Sequence, residues 1–195
     1  YIYLMAGILP WTFFSDSFGQ GTGTIIYNAE MVKKIYFPRE VLVIAEVLAK
    51  LINMLLSFLV MGFFLLISGV GFSEQFALLP IVVLIEMSLC LGFSFLVSSI
   101  TVYFRDLEYV AQVLLMAWIW GTPIMYSIED VDYPLRHLLY LNPFTQVIGC
   151  YHDIFYFHRW TPAKELLIPF VEGIILLFIG YTVFYKLKKH FAEEM

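Results

Sequence analysis

The chain has 195 residues, of which 61% are hydrophobic and 14% charged, with a formal net charge of −5. Soluble domains run nearer half apolar and a quarter charged, so a water-soluble core cannot hide this excess, whereas lipid can. Most soluble-enzyme readings are excluded on that ground. The net charge itself says little about partners, since placement outweighs the sum, and no nucleic-acid partner is expected.

Residues 1–23 are largely apolar, with Asp16 as the first charge. They lack the basic leader and small-residue cleavage site of a signal peptide and read as most of a spanning helix. The chain starts inside this run, which reads as a fragment whose upstream part is missing. Residues 28–50 carry Lys33, Lys34, Arg39 and Lys50. Within them, 36–45 are expected to form a short amphipathic helix along the membrane interface. Pro38 suits a first helical turn and holds Phe37 extended. Glu40 complements the helix N-terminus, and Val41, Leu42, Ala45 and Leu48 recur at helical spacing. The chain is then expected to turn into a second span, 51–70, which has no charge.

Three further apolar runs follow. Residues 76–104 contain Glu86 alone, 109–128 contain no charge, and 166–187 contain Glu172 and Lys186. A helix needs about 20 apolar residues to cross the hydrocarbon core, so the fold class is all-α and polytopic, with five visible spans. The short break before the fourth span holds Arg105, Asp106 and Glu108. The long break before the fifth is unusual. Residues 134–141 form a helix candidate, Asn142-Pro143 breaks it, and 144–157 are mostly apolar with His152 and Asp153 inside. Neither piece can span, so region 131–157 is either a helix–turn–helix dipping into the outer leaflet or a pair of helices lying flat on it. Alternating the breaks puts eight of the eleven lysines and arginines on one side. That side is expected to be cytoplasmic and to hold the C-terminus.

Recognisable reaction chemistry is missing from the sequence. Gly19-Gln20-Gly21-Thr22-Gly23 lacks the lysine and the preceding strand of a phosphate loop. The four histidines, His137, His152, His158 and His190, show no metal-binding spacing with carboxylates. Cys90 and Cys150 read as buried inert thiols. Glu86, near mid-span, either lines a pathway or serves a structural pairing. Asp16 and Glu172 lie nearer span ends and read as interfacial. No internal repeat of the kind that builds a proton-driven carrier is visible.

Taken in order, several motifs resemble the membrane subunit of ABC-2 type exporters, in the branch that moves lipid-linked polysaccharide of O-antigen, capsule or teichoic acid type. They are Leu9-Pro10-Trp11 with Phe14-Ser15; Lys33-Lys34-Ile35-Tyr36-Phe37-Pro38-Arg39-Glu40-Val41; Tyr103-Phe104-Arg105-Asp106-Leu107-Glu108; Thr122-Pro123-Ile124-Met125-Tyr126; and Leu138-Leu139-Tyr140-Leu141-Asn142-Pro143-Phe144-Thr145 with Tyr151 and Asp153. The resemblance covers nearly the whole chain. It implies that Tyr36, Phe37, Pro38, Arg39 and Glu40 belong to a coupling helix docking into a separate ATPase subunit. Arg105, Asp106 and Glu108 would form a second cytosolic contact, and Asn142 and Pro143 the turn of a re-entrant pair.

It also implies a complex of two membrane subunits with two ATPases in a bacterial plasma membrane. No cofactor or metal is expected in this chain, since ATP and magnesium belong to the partner. Two departures stand out. The family's N-terminal amphipathic helix and first span would precede residue 1, and His152 stands where relatives commonly have arginine before the aspartate. A glycan path would use aromatic faces, for which Trp11, Phe14, Trp118, Trp120, Tyr126 and Tyr151 are candidates, with Glu86 as a polar one; the rival use of such rings is the interfacial belt. The rival cargoes are a drug, haem or lipid. A membrane-embedded transferase would need Glu86, His152 and Asp153 at one depth, and the expected topology separates them.

Overall fold

The computed structural model describes residues 1–34, 37–67, 71 and 73–191, and among them every regular element is helical. In chain order these are α1 (Ile2–Tyr27), α2 (Ala29–Lys34), α3 (Glu40–Ile67), α4 (Leu79–Thr101), α5 (Leu107–Trp118), α6 (Leu135–Leu139), α7 (Pro143–His152) and α8 (Ala163–Leu187). A tight turn, Glu74–Leu78, leads into α4, and a widened helical turn, Asp153–Phe157, continues α7. Among the described residues, three helical stretches are long and apolar enough to cross a membrane: Glu40–Ile67, Glu74–Thr101 and Ala163–His190. Large apolar side chains remain exposed on them, including Leu55, Leu59, Phe63 and Leu66 of α3 and Ile175 and Phe178 of α8. Such a surface is unfavourable in water and natural against lipid.

Two expected elements take a different form. Residues 40–45 are the first turns of α3, which runs unbroken past Leu51. Positions 40–61 contain neither glycine nor proline to stop it. Lys50 reaches back one turn to Glu46 at 3.3 Å, across the expected bend. Pro38 lies just before this helix; Tyr36, the first residue of the expected coupling helix, falls outside the described residues. The second difference is α5, whose 12 residues replace the expected run 109–128. After Trp118 the backbone tightens into successive turns, with the Gly121 N–H on the Trp118 carbonyl at 3.0 Å and the Thr122 N–H on that of Ile119 at 3.3 Å. Pro123 then removes a donor and disfavours a helical Thr122. At 1.5 Å per residue, α5 is about 18 Å long and does not cover a hydrocarbon core alone.

The helix ends sort into two groups, fixed by hydrogen bonds between distant residues. At one end the Tyr27 hydroxyl donates to Glu108, and the Tyr103 hydroxyl donates to the Leu187 carbonyl at 3.2 Å. At the other, the Tyr3 hydroxyl donates to the Tyr126 carbonyl at 2.9 Å, and His158 Nδ1 meets Ser73 Oγ at 3.1 Å. The long helices therefore alternate in direction. α1 is the central one, packed against α3, α4, α5 and α7. α4 and α8 form the closest pair, approaching through Gly92, Gly173 and Gly180. Small residues let helix backbones come together where lipid supplies no hydrophobic drive.

Candidate functional site

Two faces of α1 differ sharply. One buries Phe13, Phe14, Phe18 and Ile25 in the core. The other carries Thr12, Asp16, Gln20, Thr24 and Asn28, each four residues after the last. Residues four apart stack on one helix face, so this is a polar stripe along α1 from Thr12 to its C-terminal end. The threonines bond back into the helix, Thr12 Oγ1 to the Ile8 carbonyl at 2.7 Å and Thr24 Oγ1 to the Gln20 carbonyl at 3.0 Å. The Asp16 carboxylate and the Gln20 amide keep their capacity for an external partner.

This stripe faces an open groove of about 980 Å³ between α1 and α5. Its far wall carries Glu108, Gln112, Leu115, Met116, Ile119 and Trp120, while Trp11 and Glu46 contribute from α1 and α3. At one end the Tyr27 hydroxyl donates to Glu108 Oε1 at 2.5 Å and ties the two helices together. The combination of hydroxyls, amides, carboxylates and the exposed Trp120 indole suits a polyhydroxylated ligand. Sugar C–H faces pack on indoles, and sugar hydroxyls need donors and acceptors.

The sequence reading takes Asp16 as interfacial and does not single out the stripe. Ending the first span at 23 placed Asp16 near an interface; with α1 running to Tyr27, it is close to the helix midpoint. The fourfold recurrence of polar residues in an apolar run was the available signal.

The expected path residues separate. Trp120 lines the groove as an exposed ring, with Tyr126 beside it in a small adjoining cavity, whereas Trp11 borders the groove but is buried, its ring edge-on to Phe14 at 5.4 Å and to Phe144 at 6.5 Å. Phe14 and Trp118 instead belong to an aromatic core cluster, with ring centres 5.2 Å apart and Phe144 3.8 Å from Phe14. Glu86 and Tyr151 are both fully buried, and the Tyr151 hydroxyl donates to Glu86 Oε2 at 2.6 Å. Of the two roles left open for Glu86, the geometry is that of structural pairing: it pins α7 to α4.

The segment around Asn142 and Pro143 is built by local chemistry. Asn142 caps α7 by accepting from the Phe144 N–H at 3.1 Å, and Pro143 occupies the first helical position. The same amide donates to the Gly121 carbonyl at 3.1 Å and to Thr122 Oγ1 at 2.9 Å, fixing α7 to the turns after α5. Every residue of Phe144–Ile148 is buried, whereas Leu135, Leu138 and Leu141 around α6 are exposed. The two halves of the motif thus have opposite environments.

His152 stacks on the Tyr3 ring at 3.8 Å and donates through Nε2 to the Tyr3 carbonyl at 3.1 Å. Burial pushes its pKa down to about 4, so the ring is neutral near neutral pH. Asp153 finds its partner six residues later. His158 adopts a left-handed conformation with φ of 50°, which reverses the chain and returns Arg159 to Asp153 at 2.5 Å. Burial raises the Asp153 carboxyl, and the Arg159 guanidinium pulls it back. Arg159 also reaches Glu129 at 3.3 Å.

At the other end, the proposed coupling residues engage the tail of α8. Arg39 donates to the Lys188 carbonyl and lies 5.9 Å from the Phe191 ring centre, and Lys188 pairs with Glu40. Phe37 is half-buried against the core, while Arg105 and Asp106 are exposed beside the Tyr27–Glu108 contact.

A helical membrane subunit with a polar lateral groove and neighbouring cationic end segments has the features of a transporter's membrane component. The chain belongs to the ABC-2 type transporter family, whose profile matches residues 1–156. It is 32% identical over 199 residues to the O-antigen export system permease protein RfbA of Myxococcus xanthus, covering 99% of this chain and 75% of that protein. A Klebsiella pneumoniae protein of the same name is 28% identical over 193 residues, covering 98% of this chain and 74% of the relative. The chain is therefore a multi-pass membrane protein of the permease class.

Proposed function

We propose that this chain is the membrane-spanning permease subunit of an exporter that moves a lipid-linked polysaccharide outward, driven by a separate ATPase. The O-antigen export role named for its relatives supports that cargo. The observation that carries the reading is the groove: a membrane helix that presents Asp16, Gln20, Thr24 and Asn28 to it needs a hydrated or polar surrounding along that face. A glycan chain with its water meets that need.

In this reading α1, α3, α4, the α5 region and α8 are the five spans. A second copy of the chain closes the open side of the groove, since two lateral clefts facing each other enclose one path. The end bearing Lys33, Lys34, Arg39, Arg105 and Lys188 is cytoplasmic, in keeping with the excess of basic residues there. The ATPase docks on α2, the Phe37–Glu40 corner and the Arg105–Asp106 turn. Its closure reaches α8 through Arg39 and Lys188, so α3 and α8 respond together. The α6–α7 motif is the re-entrant pair on the outer side.

The test is ATP-driven export of lipid-linked glycan by the full-length protein reconstituted with its ATPase. Gln20→Leu combined with Thr24→Val removes the two central polar groups of the stripe and is expected to abolish export while the ATPase still co-purifies. Wild-type export by that variant would refute the groove as the path.

A further inference from the structure

The described lining residues of the groove include the carboxylates of Asp16, Glu46 and Glu108 and no lysine, arginine or histidine. Glu46 is offset by Lys50 at 3.3 Å. Glu108 accepts from the Tyr27 hydroxyl, a neutral partner that adds no positive charge to the groove. Asp16 stands near the middle of α1, flanked by Ser15 and Gln20. The remaining lining is neutral: hydroxyls, amides, two indoles and apolar side chains.

Building on the reading of this groove as the glycan path, we infer that it selects uncharged polysaccharide and turns away polyanionic polymer, with Asp16 as the discriminating side chain and Glu108 as the second carboxylate. A carboxylate accepts strong charge-assisted hydrogen bonds from sugar hydroxyls. The same carboxylate repels a phosphodiester or uronate passing beside it. With an effective dielectric between that of a protein surface and water, two like charges about 6 Å apart disfavour one another by roughly tenfold. A polymer charged at each repeat meets that penalty at each step past Asp16. The groove thus fits neutral glycan and excludes chains of the polyol-phosphate kind.

The experiment uses the full-length protein with its ATPase in proteoliposomes and two probes of equal length on the same polyprenyl diphosphate. One probe is a neutral mannose homopolymer and the other a glycerol-phosphate polymer. The shared head cancels, so the readout is the ratio of the two transport rates. Wild-type protein is expected to prefer the mannan, and Asp16→Asn, which keeps shape and removes charge, to lower the ratio about tenfold. Asp16→Lys lowers it further, and raising ionic strength compresses the wild-type ratio. An identical ratio in wild type and Asp16→Asn would overturn the inference while leaving the exporter reading intact. If wild-type protein moved neither probe with ATP, the exporter reading itself would fall, and the inference with it.

Discussion

The α4–α8 contact allows a quantitative test of the packing. A Cβ at position 92 would lie 2.8 Å from the Leu176 carbonyl carbon and 2.8 Å from the Leu177 nitrogen. Both are backbone atoms of α8, so no rotamer change can relieve the overlap. Reaching ordinary contact at 3.4 Å requires the helices to part by about 0.6 Å along their crossing. Overpacking of this kind costs about 1–3 kcal/mol, and an unyielding backbone neighbour puts Gly92→Ala near the upper end. Alanine's better helix propensity returns about 1 kcal/mol, leaving a net loss of about 2 kcal/mol. Gly149→Ala is the matched control, because a Cβ there meets nothing within 4 Å. It keeps the propensity gain and is expected to be neutral or stabilising. Scanning fluorimetry of the detergent-purified protein should place Gly92→Ala about 4–8 °C below wild type, with Gly149→Ala at or above it. Equal midpoints for the two variants would refute the close-approach argument.

Tyr151→Phe removes the hydrogen bond to buried Glu86 and is expected to cost about 1–3 kcal/mol in the same assay, whereas the double variant with Glu86→Leu costs less than the two singles combined. Additive losses would show that the pair is not coupled. Glu40→Lys sets two cations together at the α3–α8 latch and is expected to lose about 2 kcal/mol and to lower export per ATP hydrolysed; adding Lys188→Glu should restore most of both, and a swap no better than the single change would remove the latch from the coupling route. His152, with its pKa lowered from 6.5 to about 4 in the fold, takes up its proton more readily when unfolded. Its contribution is intact above pH 6.5 and is lost as pH falls towards 4, by about 3 kcal/mol in total. The difference in midpoint between wild type and His152→Gln measured across that window isolates the effect, and a difference independent of pH would refute it.

Much of this molecule was legible in its composition. Apolar runs near 20 residues, interrupted by charge, are enough to specify membrane helices, because backbone groups in lipid have no partner other than their own helix. The bend at Asn142-Pro143 was equally local, since a side-chain cap and a fixed proline φ define it without any distant contact. What the sequence left open depended on neighbours. Whether Glu86 faced a path or a partner turned on Tyr151, 65 positions away, and the side chain is the same in either case. The continuity of α3 past Leu51 and the early end of α5 followed from competition between turn chemistry and helix propagation. Asp153 found Arg159 only because His158 reverses the chain. The polar stripe on α1 was written in the sequence at a spacing of four, but only the packing of its opposite face against α3, α4 and α7 turned that stripe towards α5 and made it the wall of a groove. Periodicity fixes which residues share a face; the neighbours that bury the other faces decide what that face meets.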